Sequence, residues 1–149
     1  MKKDCTRDYA TGAFARYALL GCPTRAIYEA EIRRDVYNRL AMQEPRVILL
    51  KANAAIAVRR PILDDIEAVE RMFEALAENG KPYISDAVRA IYMYQLPENG
   101  ALSRGEIKDR VVRYAQSVFT DERTVYRWLR SARLLFASLR GLTIEESCQ

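Results

Sequence analysis

No histidine occurs anywhere in the 149 residues, which removes the commonest general base and the commonest metal ligand together. Cysteine is scarce and scattered. Cys5, Cys22 and Cys148 are widely spaced and form no Cys-x-x-Cys pair, so neither a disulfide framework nor a zinc knuckle is indicated. Cys22, between Gly21 and Pro23, reads as a small apolar residue in a turn. No glycine-rich phosphate loop and no nucleophile–base arrangement is present. These absences argue against an enzyme and give no reason to expect a cofactor or a metal. No apolar run approaches the ~20 residues of a membrane span, and the opening MKKDCTRDY lacks a hydrophobic signal core. A cytoplasmic chain with no membrane partner is the expectation.

Half of the residues are apolar and 30% are charged, a globular rather than a disordered composition. The length suits one all-helical domain or two small helical modules. No run alternates apolar and polar residues for long enough to argue for a sheet, so the expected fold class is all-α with about seven helices. A first helix covers about residues 7–20, with Phe14, Tyr17 and Ala18 inward and Gly21 as its left-handed stop. Thr24 caps a second, running to about Met42 on a stripe of Tyr28, Ile32, Val36, Tyr37 and Leu40. Pro45 opens a third, about 46–59, whose run VILLKANAAIAV is apolar nearly all round and suggests a helix enclosed by others. Pro61 ends it. Asp64 or Asp65 then caps a fourth helix carrying Ile66, Val69, Phe73 and Leu76, closed by Asn79-Gly80. A fifth spans about 85–95 with Val88, Ile91 and Tyr92 inward, followed by the turn Pro97-Glu98-Asn99-Gly100. Ser103-Arg104-Gly105-Glu106 fits a capping box and opens a sixth helix to about Val118. The seventh runs from about Glu122 to Arg140 and stops at Gly141. Gly80-Lys81-Pro82 is the best candidate boundary, dividing a helical region 1–80 of unassigned role from a region 81–149.

The charge is uneven. Residues 101–142 hold nine basic and four acidic side chains, a local excess of five positive charges on a chain whose formal net charge is +4. In the seventh helix, Val125, Trp128, Leu129, Ala132, Leu135, Phe136 and Leu139 recur at three- and four-residue steps. Arg123, Arg127 and Arg130 fall on the other side, beside Thr124 and Tyr126. A helix pinned by its apolar stripe while presenting arginines and small hydroxyls is what a DNA major groove accepts.

Helices six and seven, joined by Phe119-Thr120-Asp121, have helix-turn-helix spacing. Ala115 is the small residue at the closest approach. Val125 and Trp128, ten and thirteen positions later, hold the second helix down. Asp121 or Thr120 can cap that helix. Phe119 stands where a turn glycine is usual, so the backbone there either avoids the left-handed region or carries strain.

Ala87-Val88, Ile91-Tyr92, Ser103-x-x-Glu106-Ile107, the run Glu122–Leu129 and Ala132-Arg133-x-x-Phe136 resemble the promoter-reading C-terminal region of sigma factors. They resemble still more the small sigma-region-4-like transcriptional regulators of Gram-positive phages and prophages, the ArpU/RinA type. The resemblance covers about the last 65 residues. It implies a C-terminal three-helix, sigma-region-4-like helix-turn-helix, sequence-specific binding of double-stranded DNA and a role in transcription initiation or activation. Glu106-Ile107 lies about seven residues further upstream of Thr124-Val125 than in sigma factors, so helix six is either two turns longer or broken. By position, Arg123, Thr124, Arg127 and Arg130, with Tyr126 beside them, would face bases or phosphates. Lys108, Arg110 and Arg113 would touch phosphates, giving affinity without sequence information.

Other readings stand beside this one. Arginines solvate the outer face of many helices that bind nothing, and Asp109 with Arg113 can be a simple i,i+4 pair. A helical protein-interaction module, for example one that contacts RNA polymerase, or a small DNA-packaging subunit of a phage would share the same composition. A homodimer is compatible with a DNA-binding regulator or an interaction module, whereas a packaging subunit would form a ring-sized oligomer and a dimer or monomer would remove that reading.

Overall fold

Side-chain caps and left-handed stops set the helix ends before packing contributes anything. Thr24 accepts from the Ile27 amide at 3.1 Å. Ser103 and Glu106 complete the capping box, with Ser103 Oγ accepting from the Glu106 amide at 3.1 Å and Glu106 Oε1 accepting from the Ser103 amide at 3.3 Å. In the computed structural model, which describes residues 5–142, the chain is all-α, with seven helices and no strand among those residues. They are α1 (Cys5–Leu19), α2 (Arg25–Arg39), α3 (Pro45–Val58), α4 (Arg60–Glu78), α5 (Pro82–Val88), α6 (Arg104–Ser117) and α7 (Glu122–Arg140). A π-helical turn, Arg89–Met93, continues α5. No helix among the described residues is long and apolar enough to cross a membrane.

Two expectations in the middle of the chain are corrected. Pro61 does not follow the third helix; it sits in the first turn of α4, which begins at Arg60 and not at a cap on Asp64 or Asp65. Proline has no amide hydrogen to lose there, and the break from α3 takes the single residue Arg59. Asp64 is instead paired with Arg25 at 2.7 Å, and Glu67 approaches the same guanidinium at 3.1 Å. Nor is α3 enclosed: Ile48 and Ala52 are buried, while Leu49, Leu50 and Val58 are exposed.

The chain divides into two compact units. The smaller, residues 23–67, is built on α2 packed against α3, with Tyr28, Ile32, Val36 and Ile48 buried. Tyr37, expected on the inward stripe of α2, is 60% exposed. The larger unit takes residues up to 22 and from 68 onward, so α1 joins α5, α6 and α7, and Gly80-Lys81-Pro82 lies inside it as the turn between α4 and α5. Its core gathers Phe14, Val69, Met72, Ile91, Leu129 and Phe136, all essentially inaccessible to solvent. Phe14 meets Phe136 edge-on with ring centroids 5.3 Å apart, and Tyr92 at 5.7 Å. Gly100, at φ +72°, lies so close to α1 that an added Cβ would stand 2.7 Å from Leu19 Cδ1.

Helix α6 runs unbroken for 14 residues and ends in a Schellman turn: the Thr120 amide donates to Ala115 O at 3.0 Å and the Phe119 amide to Gln116 O at 3.4 Å. The residue forced left-handed by that geometry is Phe119, at φ +57°, with its ring 95% exposed. A non-glycine residue there costs about 1–2 kcal/mol, and an exposed ring recovers little of it through packing. Replacing Phe119 by Gly therefore relieves strain, offset in part by the glycine's greater freedom when unfolded. We expect F119G to raise unfolding stability by about 0.5–1 kcal/mol in urea titration; an unchanged or lower midpoint would show that the ring makes stabilising contacts.

Candidate nucleic-acid interface

Helix α7 is fixed at both ends and along one side. Asp121 Oδ1 accepts from the Thr124 amide at 2.7 Å at the start. At the other end Gly141 is left-handed (φ +79°) and the Leu142 amide donates to Ala137 O at 2.9 Å. Val125, Leu129, Ala132, Phe136 and Ala137 are buried, so the 3.6-residue stripe is the inward face. Ala115 of α6 is buried in the same cluster, the small residue that helix-turn-helix spacing calls for. Trp128 packs on the edge of that cluster, T-shaped against Tyr83 at 5.1 Å.

With that side held, Arg123, Arg127 and Arg130 are exposed, and none makes an ion pair or hydrogen bond among the described residues. At about 100° per residue the three fall within an arc of about 60°. Tyr126 stands at the edge of this arc, 41% exposed. Thr124 is half-buried and tied into the cap. Hydrogen bonds from its side chain and amide, then the nearby charges of Arg123 and Arg127, hold the Asp121 carboxyl below the usual carboxylate range. The N-terminal end of α7 therefore presents guanidinium groups that make no ion pair among the described residues, with the nearby Asp121 carboxylate committed to the backbone.

The three basic residues of α6 do not act together. Arg110 reaches back to the end of the π-helical turn, donating to Ile91 O at 3.1 Å, to Gln95 O at 2.8 Å and to Tyr94 O. It is a structural clasp and not the free phosphate contact expected of it. A guanidinium fork suits three converging carbonyls as well as it suits an anion, and sequence alone does not tell the two apart. Arg113 is exposed beside Arg110 in a shallow depression lined by Tyr94, Gln95 and Tyr114, away from the α7 residues. Lys108 is exposed and lines a groove that also contains Tyr126. Of the expected set, the structure groups Arg123, Tyr126, Arg127 and Arg130 on α7, adds Lys108 at one edge, and separates Arg110 and Arg113.

Sequence reasoning passed over Arg133, which donates to the Tyr92 hydroxyl at 2.8 Å, and Arg7 and Arg104, which line the groove with Lys108. Arg104 and Arg133 carried a signal in the basic excess of residues 101–142. Arg7 carried none, because only folding brings α1 to this place. No group of acidic or cysteine residues among those described is placed to hold a metal ion. No protein-family model, curated protein or solved structure matches this chain.

Two expectations follow. Arg110→Met should cost about 1–3 kcal/mol by leaving carbonyls without a donor, whereas Arg113→Ala should stay within about 0.5 kcal/mol; equal denaturation midpoints for the two variants would refute the clasp. Asp121 has a depressed pKa in the folded chain, so its contribution is present above the ordinary carboxylate pKa and is lost as pH falls through the lower folded value. Acid titration followed by circular dichroism should show Asp121→Asn, which keeps a capping oxygen, losing less helix than Asp121→Ala at neutral pH, with the parent's lead over both variants shrinking as its own carboxylate is protonated.

Proposed function

We propose that this chain is a DNA-binding transcriptional regulator that reads duplex DNA with the exposed face of α7. The observation that carries the proposal is the pairing of a fully buried stripe, Val125, Leu129, Ala132 and Phe136, with an opposite arc of guanidinium groups, Arg123, Arg127 and Arg130, that have no partner among the described residues. Arginine can bond bidentately to guanine in the major groove, worth about 1–3 kcal/mol of discrimination for each good pair. The preceding helix and its tight, Schellman-closed turn supply the helix-turn-helix frame that sets such a helix into the groove. The likeness to sigma-region-4-like phage regulators points the same way and extends the proposal to a phage or prophage setting and to a possible contact with RNA polymerase.

A second reading, a helical interaction module, is favoured by Leu49, Leu50 and Val58, which leave one side of α3 apolar and exposed in the smaller unit. The two readings differ in what the basic helix does, and selection from random duplexes separates them. A protein that reads DNA enriches one motif, and the double variant Arg127→Ala, Arg130→Ala then loses at least about 30-fold in affinity for it while its helicity stays unchanged. Its salt dependence should also flatten by about one counterion for each phosphate contact removed. No enriched motif at ~0.15 M salt, or equal binding by parent and double variant, would overturn the DNA-reading proposal in favour of the interaction module.

A further inference from the structure

Beside α7, but off its arginine arc, lies a groove of about 490 Å³ walled by α1, the start of α6 and α7. That is the size of a small-molecule site. Its polar lining is almost entirely cationic or hydrogen-donating: Arg7, Arg104, Lys108 and Arg133 against the single carboxylate of Asp8, which already lies 3.7 Å from Arg7 Nε. Neither Arg104 nor Lys108 has an ion pair or hydrogen bond among the described residues.

At the groove wall Tyr92 is 4% exposed, and its hydroxyl oxygen accepts from Arg133 at 2.8 Å. Among the described residues nothing accepts the proton of that hydroxyl. Burial, opposed in part by Arg133, raises the Tyr92 pKa, so the phenol stays a donor at neutral pH. The hydroxyl is held by Arg133 and borders the groove, so its own proton is offered to whatever fills the groove, and among these cations that suits an anion with several acceptor oxygens.

The groove also has an apolar end. Asp8, Thr11, Tyr92, Leu102 and Ile107 are shared with a smaller recess of about 220 Å³, whose remaining wall, Gly12, Ala15, Gly100 and Ala101, is apolar. A Cβ added at Gly12 would meet nothing within 4 Å, so the recess is open space and not a closed helix contact.

We propose that this groove binds a phosphate monoester of mononucleotide size, its phosphate held by Arg104, Lys108, Arg133 and the Tyr92 hydroxyl, its flat ring seated in the recess beside Gly12 and Ala15. Both halves are used: the cations set the charge of the ligand, and the recess, with its small-residue wall of Gly12, Ala15, Gly100 and Ala101, leaves room for a body attached to it. A duplex phosphate has the same oxygens but no ring free to enter the recess, and this favours the small molecule. Lys108 and Tyr126 border both this groove and the α7 face, but Arg123, Arg127 and Arg130 do not line it.

Titration calorimetry on the full chain, with the four 5′-mononucleotides, adenosine and inorganic phosphate as probes and no DNA present, tests this. At least one mononucleotide should bind saturably below 1 mM, on the order of the weakest affinity a small specific site shows. Adenosine and phosphate should each bind at least about tenfold more weakly than it. Lys108→Gln and Arg104→Gln, both on exposed side chains, should each weaken the mononucleotide several-fold. Gly12→Leu should abolish its binding by filling the recess, with melting temperature unchanged or raised, since leucine is the better helix former. The double variant Arg127→Ala, Arg130→Ala should bind it as the parent does. Absence of saturable mononucleotide binding overturns the proposal, as does phosphate binding as well as the nucleotide. Full binding by a folded Gly12→Leu overturns it too. If the groove variants instead weaken duplex binding and no mononucleotide binds, the cations belong to the DNA contact and the small-molecule site is refuted while the DNA proposal stands.

Discussion

Phe136 and Phe14 meet edge-on at 5.3 Å, with 70° between their ring planes, and neither is accessible to solvent. This contact joins the last helix to the first across most of the chain. Tyr9 stacks on the same Phe136 ring at 6.4 Å, and Tyr92 closes on Phe14 from the other side. Burying a phenylalanine contributes about 1.5–3 kcal/mol, and edge-to-face pairing adds about 0.5–1.5 kcal/mol. What matters as much as the energy is its direction. An α7 held along Val125, Leu129, Ala132 and Phe136 has no rotational freedom about its own axis, so the azimuth of its guanidinium groups follows from the core.

The same constraint explains how the charges are distributed. Basic side chains that fall on the held flank acquire intramolecular partners: Arg133 reaches the Tyr92 hydroxyl, and Arg110 reaches the carbonyls after α5. Those that fall on the free arc acquire none among the described residues. Arg89, on the π-helical turn, finds yet another use, lying 4.1 Å over the Phe73 ring. Arginine content by itself therefore says little; the angle of each arginine to the aromatic seam decides whether it serves the fold or faces outward.

Much of this was legible from residue spacing. The α7 limits, its Asp121 cap and Gly141 stop, the capping box at Ser103 and the inward stripes of α4, α5 and α7 are local signals, written in three- and four-residue steps and in caps. What periodicity could not tell was which neighbour covers each face. The run VILLKANAAIAV looks like a buried helix because its composition is apolar all round, yet only Ile48 and Ala52 are buried, with Val47, Ala55 and Ile56 half-covered and the rest exposed. Pro61 is equally at home after one helix or in the first turn of the next, and α4 takes the second option. Val118 lies on the apolar stripe of α6 but is 39% exposed, because the helix ends there and the chain turns away. For the candidate site, the α7 members could be read from their wheel positions, whereas the roles of Arg110, Arg133 and Arg7 depend on partners far away in sequence.

The π-helical turn Arg89–Met93 carries a consequence for how the chain can change over time. The wide turn closes the helix, and beyond it Tyr94 is extended and Gln95 left-handed, so Ile91 O and the carbonyls of Tyr94 and Gln95 face a neighbour instead of a further turn. Arg110, nineteen positions after Ile91, is that neighbour. All three acceptors are backbone oxygens, so a descendant could exchange the side chains of the turn freely, while one that lost the arginine would carry orphaned carbonyls at this helix end.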